Sequence, residues 1–415
     1  MKRLYLLLIS CAVCLVHVCA QTFDVVQGDV TWRYDANSLT APMAFHAGTL
    51  AVGSAEHSLS GTTMRVDPSG VYEPLTVSVV YSGNAAKVVA DGALASSLTC
   101  TVDGPRVSIV AASSLLEEVT YRLSGEGENF TLAGEYKATV ELAGVSLKAT
   151  GEVPALYIAN GKRIDIRCTD GTVNSFEDAP SNLLKSAFYV KGHAEWKGGG
   201  TVNIRGNARH AYSSNDYTDI KASFTGTLNI LGAKSDGMNI DQYFIMNGGT
   251  VNVQNVEGDG IDVGYKLEDD DVTPTNDSLN GQAHIKNGVL NVTVATVDTK
   301  ALKSVYDMVI TGGSLDIRAN ADGTRGISSG NNLTIGTKGA TDNTVPYILL
   351  TAKGGTFTDE LGDTHKCRGI KVKNNFYFYS GTVKRSLDSS VAADKMVDVD
   401  GMPYVSGGKF DGITL

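Results

Sequence analysis

One four-residue phrase carries most of the side chains in this chain that could do chemistry. It reads His210-Ala-Tyr-Ser213, Asp236-Gly-Met-Asn239, Asp259-Gly-Ile-Asp262, Lys300-Ala-Leu-Lys303, Arg325-Gly-Ile-Ser328 and Arg368-Gly-Ile-Lys371, with first residues 26, 23, 41, 25 and 43 apart. Pro154-Ala-Leu-Tyr157 and Ser186-Ala-Phe-Tyr189 extend the series towards the N-terminus. The third position is apolar or aromatic, so in an extended strand the first and fourth face the opposite way. Stacked copies would set Asp236, Asp259 and Asp262 side by side, with Lys300, Lys303 and Arg325 beyond them. Paired carboxylates can act as acid and base in hydrolysis, or hold Ca²⁺ beside a basic residue that drives a β-elimination. The same row can hydrogen-bond hydroxyl groups without catalysis: Tyr157 and Tyr189 would offer ring faces, and Asn239, Asp262 and Lys303 polar groups. A third use is internal, since opposite charges on neighbouring strands support each other as surface ion pairs at ~0–1 kcal/mol each.

A second phrase runs in phase with the first: Gly200-Thr-Val-Asn-Ile204, Gly226-Thr-Leu-Asn-Ile230, Gly249-Thr-Val-Asn-Val253, Gly288-Val-Leu-Asn-Val292 and Gly313-Ser-Leu-Asp-Ile317, spaced by 26, 23, 39 and 25. Each is a short alternating strand after a glycine turn. Two strand phrases kept in phase, with no helical period between them, make each repeat of 23–26 residues one coil whose strands pair parallel with the next. Parallel crossovers are overwhelmingly right-handed. The fold expected over residues 113–415 is therefore an all-β, right-handed parallel β-helix, a solenoid of about three short strands per coil. Leucine-rich and calcium-binding nonapeptide repeats are excluded because their frames are absent. Residues 21–112 lack the phrases and are read as a small N-terminal β region or cap. The two long gaps hold an acidic insertion at 265–282 and the segment 337–366.

Several stretches together resemble a secreted bacterial domain family labelled carbohydrate-binding: Tyr136-Lys-Ala-Thr-Val-Glu-Leu-Ala-Gly-Val145, Gly161-Lys-Arg-Ile164, Phe188-Tyr-Val-Lys-Gly-His193, Tyr243-Phe-Ile-Met-Asn-Gly-Gly249 and Gly258-Asp-Gly-Ile-Asp262. The resemblance covers roughly residues 115–385. It implies a parallel β-helix that binds glycans, and it brings no catalytic or sugar-contacting residue to a position here.

The N-terminus, with Lys2 and Arg3, an apolar run from Leu4 to Val18 and Ala20, reads as a secretory signal peptide over residues 1–20. The expected location is the periplasm, the cell surface or the medium. Removing Lys2 and Arg3 would change the net charge from −10 to −12, which argues against nucleic acid as a partner. No later apolar stretch is long enough to span a membrane. Cys100, Cys168 and Cys367 are too few and too scattered for a disulfide framework and are expected to be buried thiols. Gly326-Ile-Ser-Ser-Gly330 matches a nucleophile-elbow pattern by chance, and Asp398-Val-Asp-Gly401 lacks the carboxylates of a calcium loop. The expected activity is non-catalytic binding of a polysaccharide or other glycan by Tyr157, Tyr189, His210, Asp236, Asn239, Asp259, Asp262, Lys300, Lys303 and Arg325. No cofactor is expected, Ca²⁺ being the one cation the carboxylates suggest. The alternatives are a polysaccharide lyase or glycoside hydrolase on the same face, and a structural or adhesive surface protein.

Overall fold

Alternation of apolar and polar residues over three to seven positions, broken by glycine turns, gives strands that bury every second side chain and pair through their edges. The computed structural model describes residues 22–37 and 43–415, so the proposed signal peptide lies outside it. One coil runs through His210–Ser214, Thr218–Phe224 and Thr227–Ala233, and the next through Met238–Ile240, Tyr243–Met246 and Thr250–Val256. Equivalent strands pair parallel from coil to coil, which builds the parallel β-helix with three ladders along its length.

The first ladder holds the His210-type phrase and ends at Val397–Val399. The second contains His193–Gly198, Thr218–Phe224 and Tyr243–Met246, and the third the Gly-Thr-Val-Asn-Ile strands. Inward side chains stack on their equivalents, as in the row Val202, Leu228, Val251, Leu290, Leu315 and Ile348. The glycine that opens these strands is required by geometry: Gly313 has φ 82°, and a Cβ there would lie 2.8 Å from the Gly288 carbonyl oxygen.

The N-terminal segment is mostly antiparallel. Thr22–Gln27 lies between Val30–Asp35 and Thr62–Asp67, and Met43–His46, Thr49–Val52 and Ala55–Ser58 form a small meander. It joins the solenoid without a break in the sheet, because Thr76–Ser82 pairs parallel with Val119–Gly127. The first rung of the first ladder, Arg106–Ala111 against Asn129–Gly134, begins before residue 113. Both long gaps hold local structure outside the coils, and the second also carries a rung of the third ladder, Tyr347–Ala352. Residues 265–282 close on a Leu267–Pro274 bridge and an ion pair from Lys266 to Asp216, and Thr356–Thr358 makes a hairpin with Thr364–Lys366. Cys100, Cys168 and Cys367 are free thiols, and burial pushes Cys100 and Cys168 up to about 12, so neither forms a thiolate readily.

Candidate functional site

The fourth position of the phrase forms one continuous outward row. Rung by rung it runs Thr131, Tyr157, Tyr189, Ser213, Asn239, Asp262, Lys303, Ser328, Lys371 and Asp398. The first position stacks as well, with Ser186 beside His210, and Lys300 beside Arg325 and Arg368. The spacing of the phrase therefore predicts the register. It does not predict how much of each side chain the neighbouring coils cover.

Three of the expected contact residues are nearly inaccessible: Tyr189 is 6% exposed, His210 8% and Asp259 9%. Tyr157 and Tyr189 stack with ring centroids 5.2 Å apart at 18°. The expectation that Tyr189 offers a ring face to a ligand is thus corrected, and one face of Tyr157 is taken up by it. Side chains on a sheet stand up from it, so rings one rung apart cover each other's faces and turn their edges outward. Tyr189 also donates its hydroxyl to Asn215 Oδ1 at 3.1 Å.

The carboxylates mostly fasten one coil to the next. Asp236 Oδ1 accepts the backbone N–H of Asp259 at 2.8 Å, and Asp259 Oδ1 accepts that of Lys300 at the same distance. The Asp236 N–H in turn donates to His210 Nδ1 at 3.2 Å. Each first-position acceptor thereby satisfies a backbone donor one coil further on, a job any buried N–H imposes on its surroundings. Lys303 Nζ lies 3.0 Å from Asp262 Oδ2 and 3.3 Å from Asp259 Oδ2. Burial raises the pKa of both acids, outweighing Lys303 at Asp262 and Lys303 together with Lys300 at Asp259. Burial alone would lower Lys303, but Asp262 and Asp259 outweigh it and keep the amine charged. Lys300 reaches Asp298 O at 2.5 Å. Among the described residues the side-chain polar groups of Tyr157, Asn239, Arg325 and Ser328 meet no protein partner, and no cluster of His, Cys, Asp and Glu is arranged to hold a metal ion.

These contacts predict a difference between two substitutions at one site. Asp259→Asn keeps the acceptor for Lys300 N–H, whereas Asp259→Ala leaves that donor buried and unpaired at a cost of about 1–3 kcal/mol. The alanine variant is expected to unfold at lower urea than the asparagine variant. Because the folded state holds the Asp259 and Asp262 protons to higher pH than the unfolded chain, their contribution to stability falls as pH rises through the range just above ordinary carboxylate values. Asp259→Asn should flatten that part of the stability profile.

A second polar surface, on the second ladder, escapes the phrase-based reading. His193, Tyr217 and Tyr243 stack with centroid separations of 4.5 and 4.7 Å. Beside them Asp165, Glu195 and Asp219 alternate with Lys197 and Lys221: Lys197 lies 2.6 Å from Asp165, and Lys221 lies 2.7 Å from Asp219 and 3.0 Å from Glu195. Burial would raise Glu195, but Lys221 and Lys197 hold its carboxyl below the usual range. Tyr217 donates to Glu195 at 3.2 Å. The signal for this row is the spacing of His193, Tyr217 and Tyr243 at the coil period, in strands that share no common phrase.

A family model described as carbohydrate-binding domain-containing protein matches residues 103–413 of the chain. No curated protein matches it. Among solved structures it is similar to a polysaccharide lyase-like protein from C. thermocellum, determined as a gadolinium derivative, with a TM-score of 0.45 and 14% identity over 80% of this chain and 99% of that one. That likeness is too distant to transfer a reaction.

Proposed function

The chain belongs to the carbohydrate-binding domain-containing protein family, and from that membership we propose that it is a secreted, non-catalytic binder of polysaccharide along the first ladder of its β-helix. The observation that carries this reading is the occupation of the ladder's acids. Asp236 and Asp259 each commit an oxygen to a backbone N–H of the next coil, and Asp262 is tied to Lys303. A hydrolase needs one carboxyl to give a proton and another to activate water or attack the sugar, both facing the bound chain. Here the acids serve the scaffold, and the groups left to a ligand are neutral or cationic: the Tyr157 hydroxyl, the Asn239 carboxamide and the Arg325 guanidinium. They are spread over rungs spaced by about 4.8 Å, which suits a chain lying along the axis rather than a single sugar.

Hydrolysis has one observation in its favour. Asp262 has a raised pKa and a buried Oδ1 without a protein partner, the combination expected of a proton donor. The two readings separate in affinity electrophoresis on neutral and acidic soluble polysaccharides, followed by end-group analysis of the polymer. We expect retardation with unchanged chain length. Asn239→Ala/Arg325→Ala should lose at least about tenfold in affinity for an acidic polymer, since a charge-assisted contact from Arg325 is worth about 1.5–3 kcal/mol. New chain ends that vanish in Asp262→Asn would establish the hydrolytic reading instead.

A further inference from the structure

The Gly-Thr-Val-Asn-Ile phrase places a row of carboxamides on the outside of the third ladder. Asn203, Asn229, Asn252 and Asn291 occupy the same outward position on successive rungs. They bond to one another in one direction: Asn291 Nδ2 donates to Asn252 Oδ1 at 2.8 Å, Asn252 to Asn229 at 2.8 Å, and Asn229 to Asn203 at 2.9 Å. An amide has two N–H donors and two acceptor sites, so each inner member keeps one of each after these bonds are made.

The surroundings differ from the rest of this acidic surface. The rungs Thr227–Leu231, Thr250–Gln254 and Val289–Thr293 contain no charged residue. They frame a shallow depression of about 250 Å³ lined by Asn229, Leu231, Asn252, Gln254, Asn291 and Thr293. Among the described residues the hydroxyls of Thr227, Thr250 and Thr293 and the carboxamide of Gln254 meet no protein partner. Arg205 borders one side, its guanidinium over Gly232 next to Leu231, and on the rung beyond Asn291 Arg318 is paired with Asp316 at 2.7 Å.

We propose that this amide ladder is a second glycan-binding surface, selective for an uncharged polysaccharide running along the helix axis. The inference rests on the glycan-binding reading above and assigns a different ladder and a different ligand chemistry. A sugar hydroxyl both donates and accepts, and the spare N–H and lone pair on each rung match it. A uronate or sulfate would find a cation only at the margin, at Arg205, because the three uncharged rungs carry none and Arg318 is already paired with Asp316. The amides are already locked in one orientation, so binding does not have to order them, which removes one of the usual costs of association. Leu231 and Val289 give the C–H faces of the sugar an apolar border, and repetition from rung to rung lets several units of one chain engage together.

The test is affinity electrophoresis of the full chain in gels holding mixed-linkage β-glucan, galactomannan or polygalacturonate. The variant Thr227→Ala/Thr250→Ala/Gln254→Ala leaves the amide ladder intact, and Leu231→Glu puts a charge in the depression. Unchanged melting temperatures would show that both are folded. The inference predicts that a neutral polymer retards the native protein, that each variant weakens this at least tenfold, and that Asn239→Ala/Arg325→Ala changes it by less than twofold. It is overturned if the third-ladder variants keep native affinity for every neutral polymer that binds, or if polygalacturonate alone is bound, an outcome that leaves the first-ladder reading standing. Absence of retardation by any of the three polymers would count against both.

Discussion

Phe188→Ala is expected to cost about 3–5 kcal/mol of folding stability, the usual range for removing a buried aromatic ring. Phe188 has no solvent exposure and sits where three coils meet. Its ring contacts Phe176 edge-on at 4.9 Å, Trp196 at 5.4 Å and Tyr212 at 5.7 Å. In a solenoid each coil is held by its neighbours, so a cavity at one rung weakens the interfaces on both sides of it. Urea unfolding followed by near-ultraviolet circular dichroism would read the loss through Trp196. Leu387→Ala is the control: with Leu387 96% exposed, it should change stability by no more than about 0.5 kcal/mol. Equal midpoints for the two variants would contradict the packing described for this region.

Asp24→Ala should be nearly as damaging, through a different mechanism and at the other end of the molecule. The Asp24 side chain is 0% exposed and binds two arginines. Arg33 grips it with Nε at 2.9 Å and Nη2 at 3.0 Å, and Arg65 with Nη2 at 3.0 Å. Deleting the shared carboxylate takes the two-point partner from Arg33, which is largely buried and keeps only Asp67 at 3.6 Å and the Val71 carbonyl at 3.3 Å; breaking a buried pair costs about 3–5 kcal/mol. Arg65 is half exposed and can be rehydrated, which puts the expected loss at the lower end of that range. Replacing the pair together, as Asp24→Leu/Arg33→Met, should recover much of the loss, because no buried charge is then left alone. Limited proteolysis provides the readout: Asp24→Ala should expose cleavage sites before residue 76 while the coils from residue 129 onwards stay resistant. Loss of the solenoid at the same urea concentration would mean that the two parts unfold as one unit.

Much of this architecture is legible in the sequence. The strands of the first ladder repeat a phrase with one apolar position, and the observed register aligns Tyr157 through Lys371 in the order that phrase implies. Accessibility was not legible, because it is set between coils. Asp259 points outward, yet it is covered by Lys303 and consumed by Lys300 N–H, and Tyr189 is covered by Tyr157. The His193, Tyr217 and Tyr243 stack was missed for a related reason: strands of the second ladder keep the coil period but vary in composition, so only spacing marks them. Arg106–Ala111 joins the first ladder through backbone pairing alone, which a search for repeated side chains cannot see. The asparagines were plain in the sequence as members of a strand phrase. Their mutual hydrogen bonds, and the absence of charge around them, emerge only when the rungs are laid side by side.

If the proposed binding role holds, the first-ladder acids fasten coils and take no part in breaking glycosidic bonds. Asp236→Asn/Asp259→Asn tests it most directly, because asparagine can still accept both backbone N–H groups while losing all acid–base capacity near neutral pH. The double variant and the native protein would each be incubated with whichever polysaccharide retards the native chain, and both retention and the number of chain ends would be followed. The account predicts native-like retention by the variant and a constant number of chain ends with either protein. Chain ends that accumulate with the native protein, whether they stay constant with the variant or not, would contradict it.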